Sequence, residues 1–277
     1  MSSKIKVDTI ENVAGSGNVS LASGHNLVVP GDLTVDTSTL KVDSSNNRVG
    51  IGTASPSQTL ETAGNIFINT VGNPNLTVKT TGAGNNPFVR IQADTNYWEM
   101  QSLFSNTNDE LDFRYNGTST MMIDKSGAVT KPLQPCFFAK KNSDTANVAV
   151  NSAVAVVFDS EIFDQNADFD TSNGTFTAPI TGRYYLSASL YATQLPSDAN
   201  YCLMEIVASN RNHMDIFRSQ AGDEEWLYHS FKIATLMDMD AGDTAKVNFY
   251  MPNGTQSVDI TGNSTHSHTS FSGFLVA

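Results

Sequence analysis

Apolar and polar positions alternate in short runs along most of this chain, and they almost nowhere recur at the three-to-four spacing of a helix. Leu33-Thr34-Val35-Asp36 and Thr244-Ala245-Lys246-Val247-Asn248-Phe249 put their apolar residues on one side with period two, and Phe88-Val89-Arg90-Ile91 does so at Val89 and Ile91, which predicts strands. Between such runs, Asn116-Gly117, Asn173-Gly174 and Asn253-Gly254 predict tight turns, because both residue types tolerate positive φ. A threonine follows each pair, so each also spells a glycosylation sequon. With no secretory signal visible, the turn reading is preferred. The pattern predicts an all-β protein.

The runs change character along the chain and suggest four segments. In residues 1–71, short hydroxyl-and-aliphatic strands such as Asn26-Leu27-Val28-Val29 and Thr39-Leu40-Lys41-Val42 are split by Gly, Pro and Asn. One chain of this kind buries too little apolar surface to offset its ordering entropy. Three chains sharing a narrow Val/Leu/Ile axis would bury more, so a trimeric shaft is expected. Residues 72–130 carry larger apolar groups (Phe88, Tyr97, Trp98, Phe104, Phe113, Tyr115) and predict a small β-domain on that shaft. Residues 131–136 contain Pro132 and Pro135 and predict a stiff linker, since proline interrupts a ladder. Residues 137–277 make up the last and longest segment.

Composition narrows the function classes. Charged residues are only 16% of the 277 and hydrophobic ones 39%, so solubility rests on hydroxyls and amides. The net charge of −12 disfavours a nucleic-acid partner, whose phosphates need Lys and Arg, and disfavours docking on an anionic membrane. Residues Met1–Asp8 lack an apolar signal region, and no apolar run is long enough to span a bilayer as a helix. The expectation is a protein made in a cytoplasm without membrane insertion, which, if it acts outside, leaves by lysis or inside a particle. Cys136 and Cys202, the only two cysteines, are expected to be free thiols.

The stretch Gly174-Thr175-Phe176-Thr177-Ala178-Pro179-Ile180-Thr181-Gly182-Arg183-Tyr184-Tyr185-Leu186, with the ending Phe271-Ser272-Gly273-Phe274-Leu275-Val276, resembles the signature of the complement C1q globular head. Val157-Phe158-Asp159, Phe169-Asp170-Thr171 and Ala241-Gly242-Asp243-Thr244 stand at matching distances around it. The resemblance covers roughly residues 137–277. It implies a ten-stranded jelly roll of the tumour-necrosis-factor type, a homotrimer, and binding rather than catalysis. Tyr184, Phe271 and Phe274 are the trimer-interface candidates. The stretch from Lys41 through Arg48-Val49-Gly50-Ile51-Gly52-Thr53 to Ile66 resembles a recurrent bacteriophage tail-fibre element. The opening Ser3–Ile10 is similar to the virion-attached ends of marine phage fibres, which makes Lys4, Ile5, Val7 and Ile10 the anchor candidates.

Catalytic chemistry finds little support in these residues. No Gly-x-Ser-x-Gly elbow, phosphate-binding Gly-Lys-Ser/Thr loop or Cys-x-x-Cys pair is present, and Gly50-Ile51-Gly52 lacks the third glycine of a dinucleotide loop. No enzyme and no cofactor are expected. Two sets of side chains stand as metal candidates. Asp159, Asp164, Asp168 and Asp170 suit calcium, which some members of the resembled family bind, although capping turns and solvating a loop is the preferred reading. His266 and His268 face the same way on a strand and suit a transition metal on a threefold axis, as in certain phage fibre tips, although a solvated loop serves as well.

The resulting expectation is a homotrimeric virion fibre. Its N-terminus would attach to a tail or capsid protein, and its head to a host glycan or outer-membrane component. Receptor contacts are expected in the loops Gln194–Asn200, Arg211–His213 and Ala221–Trp226, with Arg211, His213, Trp226 and Tyr228 as candidates. Trp226 and Tyr228 suit either a sugar face or the core. The alternatives are an architectural capsid or collar fibre without a receptor, and a bacterial surface adhesin.

Overall fold

A computed structural model describes residues 30–35, 39–69, 72, 74–81, 85–104, 109–217, 226–255 and 257–277. Among them no helix occurs, so the chain is all-β as predicted. It divides into two compact units, Met1–Thr77 and Val78–Ala277.

The first unit holds one four-stranded sheet of β1 (Leu33–Val35), β2 (Leu40–Asp43), β3 (Arg48–Ile51) and β4 (Leu60–Thr62). β1, β2 and β3 run antiparallel, and β4 joins β3 in parallel. The Asp43 carboxylate accepts the backbone N–H groups of Ser45 and Asn46, both at 3.1 Å, and Asn47 closes the turn at φ 54°. Asp and Asn suit these positions because their short polar side chains replace backbone partners. Among the described residues of this unit no Val, Leu, Ile or Phe side chain is buried.

In the second unit a five-stranded meander comes first: β5 (Phe88–Ala93), β6 (Asn96–Phe104), β7 (Asp109–Tyr115), β8 (Thr118–Asp124) and β9 (Val129–Thr130). Asn116 and Gly117 lie at φ 47° and 83°, the two positive values that a twist-matched two-residue hairpin requires. One face of this sheet is polar. There Arg90 donates twice to Glu99, at 2.7 and 3.0 Å, and its guanidinium lies 4.1 Å from the Tyr97 ring centre. On the same face Asp112, 1% exposed, accepts from the Ser119 hydroxyl at 2.7 Å with Arg114 beside it at 3.5 Å.

Residues 131–135 are tied to the head by side-chain amides rather than held by proline alone. Gln165 donates to the Lys131 and Gln134 carbonyls, both at 2.8 Å, and Gln134 donates to the Leu275 carbonyl at 2.9 Å. Cys136 already belongs to the first head strand.

The head is a sandwich of two six-stranded antiparallel sheets. One contains β10 (Cys136–Lys140), β12 (Ser160–Asp164), β15 (Gly182–Leu195), β18 (Trp226–Met239), β20 (Asp259–Ile260) and β21 (Ser270–Leu275). The other contains β11 (Val154–Ala155), β13 (Phe169–Asp170), β14 (Thr175–Thr177), β16 (Cys202–Ala208), β17 (Asn212–Phe217) and β19 (Thr244–Tyr250). In the first sheet the order is β12-β10-β21-β15-β18, with β20 also on β15. In the second it is β13-β14-β19-β16-β17, with β11 on β19.

Between the sheets sits a phenylalanine cluster. Phe137 stacks on Phe169 at 4.9 Å and on Phe176 at 4.7 Å, and meets the edge of Phe271 at 5.1 Å. The room for Phe137 comes from Gly273. A Cβ there would lie 2.7 Å from the Phe137 ring and 2.6 Å from Leu186. The signature stretch is thus a packing motif: Phe176 meets Tyr184 at 5.4 Å, and the Tyr184 hydroxyl donates to the Ile180 carbonyl at 2.7 Å across the turn. The Asn173-Gly174 turn differs from the prediction, since only Gly174 has positive φ. Asp170 holds that turn by accepting from the Ser172 N–H and hydroxyl and from the Asn173 amide.

Candidate functional site

The sandwich separates the three trimer-interface candidates, Tyr184, Phe271 and Phe274. Tyr184 and Phe271 are each 0% exposed in the single chain and bridge its two sheets. That is a correction: a side chain enclosed by its own chain has no surface to offer a partner. Phe274 is the outward one, and it lies ring to ring with Tyr185 at 5.4 Å. Alternation along each strand explains the split, because Phe271 and Gly273 face in while Ser272 and Phe274 face out.

The outward face of the β10-β21-β15-β18 layer changes character along its length. At the end where the linker enters, Cys136, Phe274, Tyr185 and Leu236 are in cross-strand register. Leu236, three residues before the end of the 14-residue strand β18, is 60% exposed. The middle is paved with small polar side chains. Ser187, Ser189, Ser230, Ser267 and Ser270 surround a cavity of about 360 Å³ with Lys232 and His268. Beside it Lys140, although 6% exposed, is satisfied by the carbonyls of Asn263 and Ser264. At the far end Tyr228 stacks on Tyr191 at 6.0 Å, and Tyr191 packs on the His268 ring at 4.8 Å.

The predicted receptor residues do not form one site. Tyr228 is exposed at the start of β18, whereas Arg211 pairs with Asp238 at 2.7 Å near the strand's other end. Ten residues of strand separate Tyr228 from Asp238, roughly 33 Å at the usual rise. His213 is exposed next to Arg211, on the edge strand β17. Trp226 opens β18, but its side chain lies outside the described residues, as do Lys4, Ile5, Val7 and Ile10. No simple sequence signal would have separated the two ends, because 211 and 226 are close in number.

The metal candidates are similarly spread. Among the described residues no group of three or more His, Cys, Asp or Glu side chains is arranged to hold a metal ion. Asp170 is occupied by its turn, and its hydrogen bonds to Ser172 hold its carboxyl below the usual range. Asp159 accepts from the Asn142 N–H. Asp168 is pushed up, first by burial and then by neighbouring Asp164, whose carboxylate accepts from the Phe169 N–H at 2.8 Å. His268 hydrogen-bonds Thr261 at 3.3 Å, and burial followed by the charge of His266 holds it below the usual histidine range. His266 lies on the adjoining loop, its backbone N–H bonded to the Asn263 side chain at 2.8 Å. The two thiols are free, as expected. Burial pushes Cys202 up to about 12.

A sandwich of this topology with the packing signature at Phe176 and Tyr184 defines a jelly-roll head, and its residues 136–276 match the C1q domain. The chain belongs to the C1q-domain family. Domains of this family and of the tumour-necrosis-factor type commonly form homotrimers and are generally non-enzymatic. Among solved structures, the globular domain of the zebrafish complement 1qA protein aligns at 17% identity and TM-score 0.39, covering 52% of this chain and 98% of that one. Murine APRIL, at pH 5.0 and at pH 8.0, aligns at 13% and 14% identity with TM-score 0.36, covering 52% of this chain and 99% of that one. No curated protein matches the chain.

Proposed function

We propose that this chain is a structural virion fibre subunit that trimerises and presents its C1q-type head to a host-cell surface receptor, without catalysis. The observation that carries the assembly part is the outward apolar cluster of Phe274, Tyr185 and Leu236, which a lone chain leaves in water. Burying such groups is worth roughly 25 cal/mol per Å². The virion part rests on the fibre-like segment from Lys41 to Ile66 and on the opening Ser3–Ile10. In this reading the N-terminus joins a tail or capsid protein, and the head lies distal. Tyr228, stacked on Tyr191 at the end of the head away from the linker, is the exposed aromatic best suited to a sugar face. Three such sites on one trimer raise each other's effective concentration, so weak contacts give useful avidity.

The test is adsorption. Purified full-length chain, added in excess to virus and host cells, should slow adsorption, and Tyr228→Ala should weaken that competition several-fold while leaving the trimer mass unchanged. Unchanged adsorption in the presence of excess trimer overturns the receptor-binding part and leaves an architectural fibre.

A further inference from the structure

We infer that the apolar face of the meander β5–β9 is a second self-association surface, covered by the same face of other copies of this chain; this rests on the trimer proposed above. The register gives the face its membership. Val89 pairs with Met100, Ile91 with Trp98, Trp98 with Tyr115, Met100 with Phe113, Leu111 with Ile123, and Ile123 with Val129. Residues paired across antiparallel strands share a face, so these side chains form one continuous apolar surface. Ile91 is 75% exposed, Val129 54% and Trp98 51%. The opposite face carries the Arg90–Glu99 and Arg114–Asp112 pairs and needs no cover.

The apolar side of a single-layer sheet needs a second layer to bury it. Whatever covers this face must therefore be present whenever the chain is folded, and another copy of the chain meets that condition by construction. The face carries one charged residue, Asp109, at the corner where it stands in register with Phe104, so repulsion between like faces is confined to that corner even in a chain of net charge −12. It is also continuous with the outward apolar end of the head. Val129 of this face lines one cavity of about 460 Å³ together with Cys136 and Phe274 of the head sheet. An assembly that buries Phe274 in this way runs on into Val129 and the meander.

Trp98 supplies the measurement. It is one of two tryptophans, so in the full-length Trp226→Phe variant it is the only indole. Sedimentation equilibrium and acrylamide quenching are then read on the same sample. The expected result is a mass three times the 29.8 kDa chain, with Trp98 quenched several-fold more slowly than N-acetyltryptophanamide. Adding Ile91→Lys should bring quenching back toward the free rate. A trimer whose Trp98 is quenched freely overturns this inference and leaves a head-only trimer standing. A monomer with freely quenched Trp98 overturns both. A monomer with protected Trp98 also overturns it, since the cover then comes from the same chain.

Discussion

The head and the meander before it use the same antiparallel strands and similar side chains, but they handle their apolar faces in opposite ways. In the head, two sheets close on each other, and Phe137, Phe158, Phe176 and Phe271 are at most 1% exposed. In the meander a single sheet carries the Arg90–Glu99 and Arg114–Asp112 pairs on one face and leaves Ile91, Trp98 and Val129 in the open on the other. A closed sandwich carries its stability within one chain, whereas a single sheet borrows it from whatever covers it. The difference separates what a monomer can do from what only an assembly can.

The largest expected effect lies in the closed half. Phe137→Ala removes a ring that touches Phe169, Phe176 and Phe271, and should cost about 3–5 kcal/mol. Thermal unfolding followed by near-ultraviolet circular dichroism should show the head melting far earlier. If it melts unchanged, the sandwich core is not what holds the head.

A middle effect tests the polar face of the meander. Asp112→Ala removes the acceptor of the Ser119 hydroxyl and leaves the Arg114 side chain without its carboxylate. The expected loss is about 1.5–3 kcal/mol, the range for a hydrogen bond to a charged group. It should appear as faster hydrogen exchange in residues 96–124 with the head strands unaffected. Equal loosening of both regions would mean that the two are one cooperative block.

The smallest effect is a rate at the joint between them. A thiol reacts as thiolate. At pH 8, Cys202, pushed to about 12 by burial, should resist a thiol reagent until the head unfolds. Cys136, partly exposed and raised first by burial and then by Asp164, should react slowly, about tenfold faster for each added pH unit below its pKa. Labelling of Cys136 should slow further on assembly, because it shares a cavity with Val129 and Phe274. Equal labelling of the two cysteines in folded protein would contradict the burial difference.

The pattern of side chains alone determined the all-β class, the strands at Phe88–Ala93 and Thr244–Tyr250, and the turns at Asn116-Gly117 and Asn253-Gly254, whose residues all adopt positive φ. These are local matters, decided by period two and by backbone freedom. The head was legible from the signature Phe176…Tyr184 because packing fixes the spacing of those two rings. What the sequence did not decide is which of two alternating faces turns inward. That choice put Tyr184 and Phe271 in the core and left Phe274 outside, and it depends on where the second sheet lies. Nor did it decide distance: a 14-residue strand carried Tyr228 and the Arg211 partner Asp238 to opposite ends of the head. Period two tells which residues share a face, but only the tertiary structure tells what that face meets.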